Sequence, residues 1–203
     1  KAEIIEYISA ENEFTKKVHL EKNQGLIDTI YEEIISRVNE DDQDVPVYHD
    51  PYYYYSRTVK GLQYPIHCRR KDSMEEKEEV LLDLNQRSEE YIDIKSLKVS
   101  PNHKVMGYSL DFEGSEKYKI YFKDLESGEI LESETIQECS GSICWSADSK
   151  HVWYSVLDQV QRPYKIFRHT LDSKQPDEMI YHEQDPKYFV GMSLSLSKEY
   201  LFV

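Results

Sequence analysis

Two hydrophobic periods divide the chain near Pro46. Before it, apolar residues recur at helical spacing. "AEIIEYISAENEFTKKV" sets Ile4, Ile5 and Ile8 on one face, which continues through Glu11 and Asn12. "GLIDTIYEEIISRVNEDD" repeats the pattern with Leu26, Ile27, Ile30, Ile34 and Val38. Residues 1–42 therefore read as two helices, with Gly25 expected to break them apart. The acidic run Asp41, Asp42 and Asp44, followed by Pro46, is expected to end the second. A single helix cannot bury such a stripe, so both are expected to lie on another layer.

After Pro46 the period shortens to two. Runs rich in Tyr, Val, Ile and Phe alternate with Gly, Asp, Asn and Ser turns, which is an all-β pattern. "YYYYSRT", "VKGLQ" and "YPIHCRR" read as two strands and a turn, and "EEVLLDLN" at 78–85 as a further strand. Neighbouring strand side chains point to opposite faces, so Tyr52 and Tyr54 share one face and Tyr53 and Tyr55 the other. Four tyrosines in a row could also form a stacking platform for a ligand. Packing of rings between layers, with hydroxyls at a polar rim, is the simpler account.

The β region repeats itself. "SPNHKVMGYSLDFEGSEKYKIYFKDLES" (100–127) aligns without a gap on "SADSKHVWYSVLDQVQRPYKIFRHTLDS" (146–173). The offset is 46 residues, as from Ser100 to Ser146. Tyr108–Ser109 falls on Tyr154–Ser155, Tyr118–Lys119–Ile120 on Tyr164–Lys165–Ile166, and Leu125 on Leu171. A third copy begins at Ser195. A period of this length with three or four short strands per unit is that of a β-propeller blade. The expected fold is mainly β: a partial propeller of about three blades, preceded by an N-terminal α-helical segment. The helical segment is set at 1–45 and the propeller at 46–203. The blades fall at about 50–96, 97–143 and 144–192, and the next starts at 193–203. Propellers usually close with four to eight blades, so the chain is expected to be part of a longer protein.

Composition narrows the chemistry. The 39 acidic and 25 basic side chains give a formal net charge of −14. Such a surface repels phosphate backbones and anionic lipid, so neither nucleic acid nor a membrane is an expected partner. No run of about 18 apolar residues occurs, and residues 1–14 contain no signal-peptide apolar core. Cys68, Cys139 and Cys144 are an odd number without a disulfide framework. No second Cys or His pair stands at zinc spacing. The thiols are expected to be buried and unpaired, which suits a cytoplasmic protein. No metal and no cofactor are implied.

Read in order, several segments resemble one family. They are "YISAENEFT" (7–15), "YEEIISRVNEDDQDVP" (31–46), "YYYYSRTVKGLQYPIHCRR" (52–70) and "EEVLLDLN" (78–85). "VSPNHKVMGYSLDFEGSEKYKIYFKDLESGE" (99–129) and "SICWSADSKHVWYSVLDQVQRPYKIFRH" (142–169) complete them. The chain resembles the N-terminal part of the prolyl oligopeptidase family of serine peptidases, within it the oligopeptidase B (protease II) group. The resemblance implies a seven-bladed propeller that caps an α/β-hydrolase domain, and an N-terminal helical stretch that packs on that domain. It also implies hydrolysis of short peptides after Arg or Lys, with substrate size limited by the propeller. The partners implied are the hydrolase domain, in cis or as a split chain, and short peptides.

The implied triad would lie in the hydrolase domain, so no catalytic residue is assigned here. "GYSLD" (107–111) and "GMSLS" (191–195) approach the G-x-S-x-G nucleophile motif but lack its closing Gly and a following helix. Asp111, Glu113 and Glu116 could form an acid/base pair or a cation site. The plainer reading is a turn with an ion pair to Lys117 or a neighbouring blade. Asp111, Gly114, Glu116 and Tyr118 fit the family pattern, as do Asp158, Arg162, Pro163, Arg168 and His169. The second group is expected to fix a loop and a strand edge, or to contact the hydrolase domain. Trp145 and Trp153 could cage a cation, although core packing of a blade suits them better. Two further function classes remain open: a stand-alone propeller that binds partners by its loops, and the product of a split or truncated peptidase gene.

Overall fold

The computed structural model describes all residues from Lys1 to Val203. The chain forms two compact units, Lys1–Asn85 and Gln86–Val203.

The first unit begins with α1 (Ala2–Thr15) and α2 (Glu21–Ile35), joined by a π-helical turn at Lys16–Leu20. Thr15, Lys16, Leu20 and Glu21 all keep right-handed helical backbone, so the helix is not interrupted. Gly25 therefore does not break it; it lies inside α2, with open space where a Cβ would stand. A helical glycine loses only about 1 kcal/mol relative to alanine, which the flanking Glu, Lys, Gln and Leu offset. The helix also stops earlier than the acidic run, at Ile35. Residues 42–44 instead run beside an extended strand. The Asp44 N–H donates to the Ser56 carbonyl, and the Thr58 N–H to that of Asp42. No residue of α1 or α2 is buried. Ile4, Ile5, Ile8, Leu26, Ile30 and Ile34 all stand exposed.

Next comes a four-stranded antiparallel sheet in the order β1 (Val47–His49), β2 (Tyr52–Arg57), β3 (Ile66–Lys71), β4 (Glu79–Asp83). The four tyrosines fill β2, as a strand rather than a platform. Tyr55 is buried with Ile66 and Cys68. The Tyr52 ring lies 6.1 Å from Tyr54 and the Tyr53 ring 4.8 Å from Tyr48, which is the alternation a strand imposes. The Arg69 guanidinium sits 4.1 Å from the Tyr52 ring centroid. The charged loop after β3 is tied down by ions. Glu78 accepts from Arg57 (2.9 Å) and from the Tyr55 hydroxyl (2.6 Å). Arg70 donates to the carbonyls of Met74 and Glu76.

The second unit is built on a seven-stranded antiparallel sheet. Its strands are β5 (Asp93–Val99), β6 (Val105–Asp111), β7 (Tyr118–Asp124), β8 (Ile136–Trp145), β9 (His151–Leu157), β10 (Pro163–Thr170) and β11 (Glu178–His182), each paired with the next. A short pair, β12 (Ser193–Leu194) and β13 (Leu201–Phe202), follows. β8 joins two groups of strands. Ile136 and Cys139 pair with β7; Cys139 also pairs with Val156 of β9, and the β9 register then shifts before Ile143–Trp145. Gly141 makes the shift possible. It has φ +83°, and a Cβ there would lie 2.7 Å from Cγ of Tyr118. The core on either side holds Ile120, Phe122, Cys139, Ile143, Trp145 and Val152.

The 46-residue repeat is a repeat of geometry. The Ser100, Ser146 and Ser195 N–H groups donate to the carbonyls of Val105, His151 and Tyr200. The hydroxyls of Ser100 and Ser146 accept from the Val105 and His151 N–H groups. His103, Ser149 and Lys198 occupy the left-handed region at the same point of each turn.

Candidate functional site

The candidate positions fall in the turns that follow β6 and β9, and along β10. The two turns are neighbours: the Gln161 side chain donates to the Ser115 carbonyl at 3.1 Å. Between them lies a cavity of about 400 Å³, with Lys117 and Glu138 on one side and Asp158, Arg162, Tyr164 and His182 on the other.

Asp111 ends β6 and is buried. Its carboxylate accepts the N–H of Glu113 (2.9 Å) and of Glu116 (2.7 Å), so it closes the turn and makes no ion pair with Lys117. This corrects the ion-pair half of the expectation; the turn itself is present. Glu116 takes a left-handed conformation (φ 57°), and its side chain is exposed. The carboxylates of Asp111, Glu113 and Glu116 are thus joined by backbone groups, not by a shared proton or cation.

Asp158 and Arg162 form a tighter lock. Asp158 accepts the Arg162 N–H and its Nε, both at 2.9 Å. The backbone N–H, with the guanidinium beside it, holds the Asp158 carboxyl below its ordinary range. Arg162 is buried, and its Nη1 donates to the carbonyls of Asp185 (2.8 Å) and Tyr188 (2.7 Å). One guanidinium therefore pins the 185–188 loop to the β9–β10 turn, which is the loop-fixing part of the expectation.

Arg168 and His169 are adjacent on β10 but serve different surroundings. Arg168 pairs with Glu178 of β11 at an exposed edge. His169 is buried, stacked 5.4 Å from the Phe122 ring. Its Nδ1 lies 2.9 Å from Asp177 and its Nε2 3.1 Å from Glu134. Glu134 and Asp177 are the members that sequence spacing did not reveal. They stand 35 and 8 residues from His169, and no motif links them.

The near-motif serine of "GYSLD" lies in the middle of β6. Ser109 is fully buried, and its hydroxyl donates to the Gly141 carbonyl at 2.8 Å, so it cannot present a nucleophile. Ser193 of "GMSLS" sits in β12. Trp145 packs edge-on to Phe122 and donates its indole N–H to the Lys98 carbonyl, which is a core role. Cys68 and Cys139 are buried thiols pushed up to about 11 by desolvation; Cys144 is half-buried and also raised. No helix is long and apolar enough to cross a membrane.

Repeated hairpins of one register, linked by a bulged strand and preceded by a helix, define part of a β-propeller. Residues 1–203 match the family described as prolyl oligopeptidase, N-terminal beta-propeller domain, and the chain belongs to that family. It is 33% identical over 211 residues to Protease 2 of Moraxella lacunata, covering 99% of this chain and 30% of that protein. It is 29% identical over 220 residues to dipeptidyl aminopeptidase BI of Pseudoxanthomonas mexicana, again covering 99% and 30%. Among solved structures, oligopeptidase B from Leishmania major superposes with a TM-score of 0.87 at 29% identity, over 98% of this chain and 28% of that one. The chain thus spans about 30% of the length of the curated relatives it matches.

Proposed function

We infer that this chain is the propeller portion of a serine-type oligopeptidase and works as its gate. In this reading it sits over an α/β-hydrolase domain, in cis or as a separate chain, and admits short peptides while excluding folded proteins. Excluding bulk water at the same time strengthens the electrostatics of the triad. The observation that carries the reading is the extent of the match to Protease 2, which covers nearly the whole of this chain but under a third of the relative. The exposed apolar residues of α1 and α2 support it, because such a helix is stable only against a further layer. Ser109 supports it from the other side: the chain's nearest approach to a nucleophile motif is a core residue.

The preferred cleavage is after Arg or Lys, as for the oligopeptidase B group. The similarity to a dipeptidyl aminopeptidase favours a second specificity, removal of N-terminal dipeptides, on the same scaffold. The unpaired thiols, two buried and one half-buried, suit a reducing compartment, and we assign the protein to the cytoplasm.

Arylamide hydrolysis tests the reading. The polypeptide carrying this chain together with its hydrolase domain should cleave an Arg- or Lys-arylamide and be silenced by a serine-directed inhibitor. The 203-residue chain alone should be inactive. Turnover by the isolated chain, or inhibitor-resistant turnover by the whole protein, overturns it. Preference for an unblocked dipeptidyl-arylamide over a blocked one selects the second specificity.

A further inference from the structure

The cluster at His169 is built around protons. Glu134 (turn before β8) and Asp177 (loop before β11) approach opposite nitrogens of one buried ring. Carboxylates accept and do not donate. A neutral imidazole carries one N–H and can satisfy one of them, whereas the doubly protonated ring satisfies both. The remaining contacts do not remove this demand. Glu134 also accepts the Asp172 N–H (3.2 Å) and the Ser133 hydroxyl (3.0 Å). Asp177 also accepts the Tyr154 hydroxyl of β9 (2.7 Å). Tyr154 is pushed above its ordinary range by burial and by Asp177, so it stays a donor. From β7 the ring meets the uncharged face of Phe122. On its own strand, Arg168 is engaged by Glu178, and Thr170 by His151.

The position matters because Glu134 leads into the half of β8 that pairs with β7, while β10 and the approach to β11 belong to the following group of strands. We propose that Glu134, His169 and Asp177 form a proton-dependent clasp between successive strand groups of the propeller. The clasp is closed when His169 carries both ring protons; when one leaves, the longer Nε2 contact to Glu134 (3.1 Å) is the bond lost and the Nδ1 bond to Asp177 (2.9 Å) is kept. The proton goes to solvent.

Hydrogen exchange of the intact polypeptide reads this directly. The Asp172 amide is held by the Glu134 carboxylate and reports on the clasp. The β6 amides, which lie in the sheet interior, serve as reference. After correction for intrinsic exchange, raising the pH from about 6 to about 9 should speed exchange at Asp172 about tenfold relative to β6. Glu134→Gln should abolish the pH dependence while keeping protection, because an amide can donate to a neutral ring and still accept from Asp172. His169→Gln should give fast exchange at both pH values. Equal protection of the wild type at both, or an unchanged pH response in Glu134→Gln, overturns the clasp. If His169→Gln does not fold, the wild-type and Glu134→Gln profiles decide.

Discussion

The β6–β7 and β9–β10 hairpins share a frame and differ in what closes it. Val105 pairs with Asp124 and His151 with Thr170; Tyr108 pairs with Tyr121 and Tyr154 with Phe167. The two aromatic pairs stack alike, at 5.5 and 5.8 Å. Ile120 and Ile166 sit at the same register and are both fully buried. At the far end the hairpins part. Asp111 closes its turn with two backbone N–H groups; Asp158 also accepts two, from Val160 and Arg162, and adds a buried guanidinium that reaches on to the 185–188 loop. Shared strand geometry follows from the apolar positions. Individual turn chemistry sets what each hairpin is tied to.

The largest effects should test the shared frame. Ile120→Ala and Ile166→Ala should each destabilise by about 2–5 kcal/mol, with similar losses in urea unfolding. A negligible loss at one of them would break the equivalence. Gly141→Ala tests the bulge between the hairpins. Its Cβ would meet the Tyr118 ring at a left-handed backbone, so a loss of about 2–4 kcal/mol is expected.

Smaller effects should sharpen the difference. Arg162→Met removes the guanidinium from Asp158, which keeps its backbone donors, and leaves two carbonyls without theirs, for a loss of about 2 kcal/mol, and should speed proteolysis within residues 183–190. Asp111→Asn keeps an acceptor at its turn and should lose about 1 kcal/mol, with that loop unaffected. If both variants loosen 183–190, the turns are not independent. The smallest pair is Ser100→Ala and Ser146→Ala. Each removes one hydroxyl from the same turn and should lose about 1 kcal/mol by the same assay.

What could be read along the chain was local or periodic. Alternation marked β2 and the hairpins, because side-chain direction in a strand follows directly from residue parity. The 46-residue spacing marked the propeller, because each turn needs the same serine hydroxyl and left-handed residue. Gly25 misled because propensity is a weak prior: α2 runs straight through it, and the irregular π-helical turn falls earlier, at Lys16–Leu20, where no residue type announces it. Folding alone brought together Glu134, His169 and Asp177, and bound Arg57 to Glu78. A charged side chain's partner depends on which strands pair and where the sheet shifts register. In β8 that depends on a glycine bulge whose consequences lie in other strands. Pattern thus determined the strands and their repetition, and tertiary pairing decided which buried charges meet.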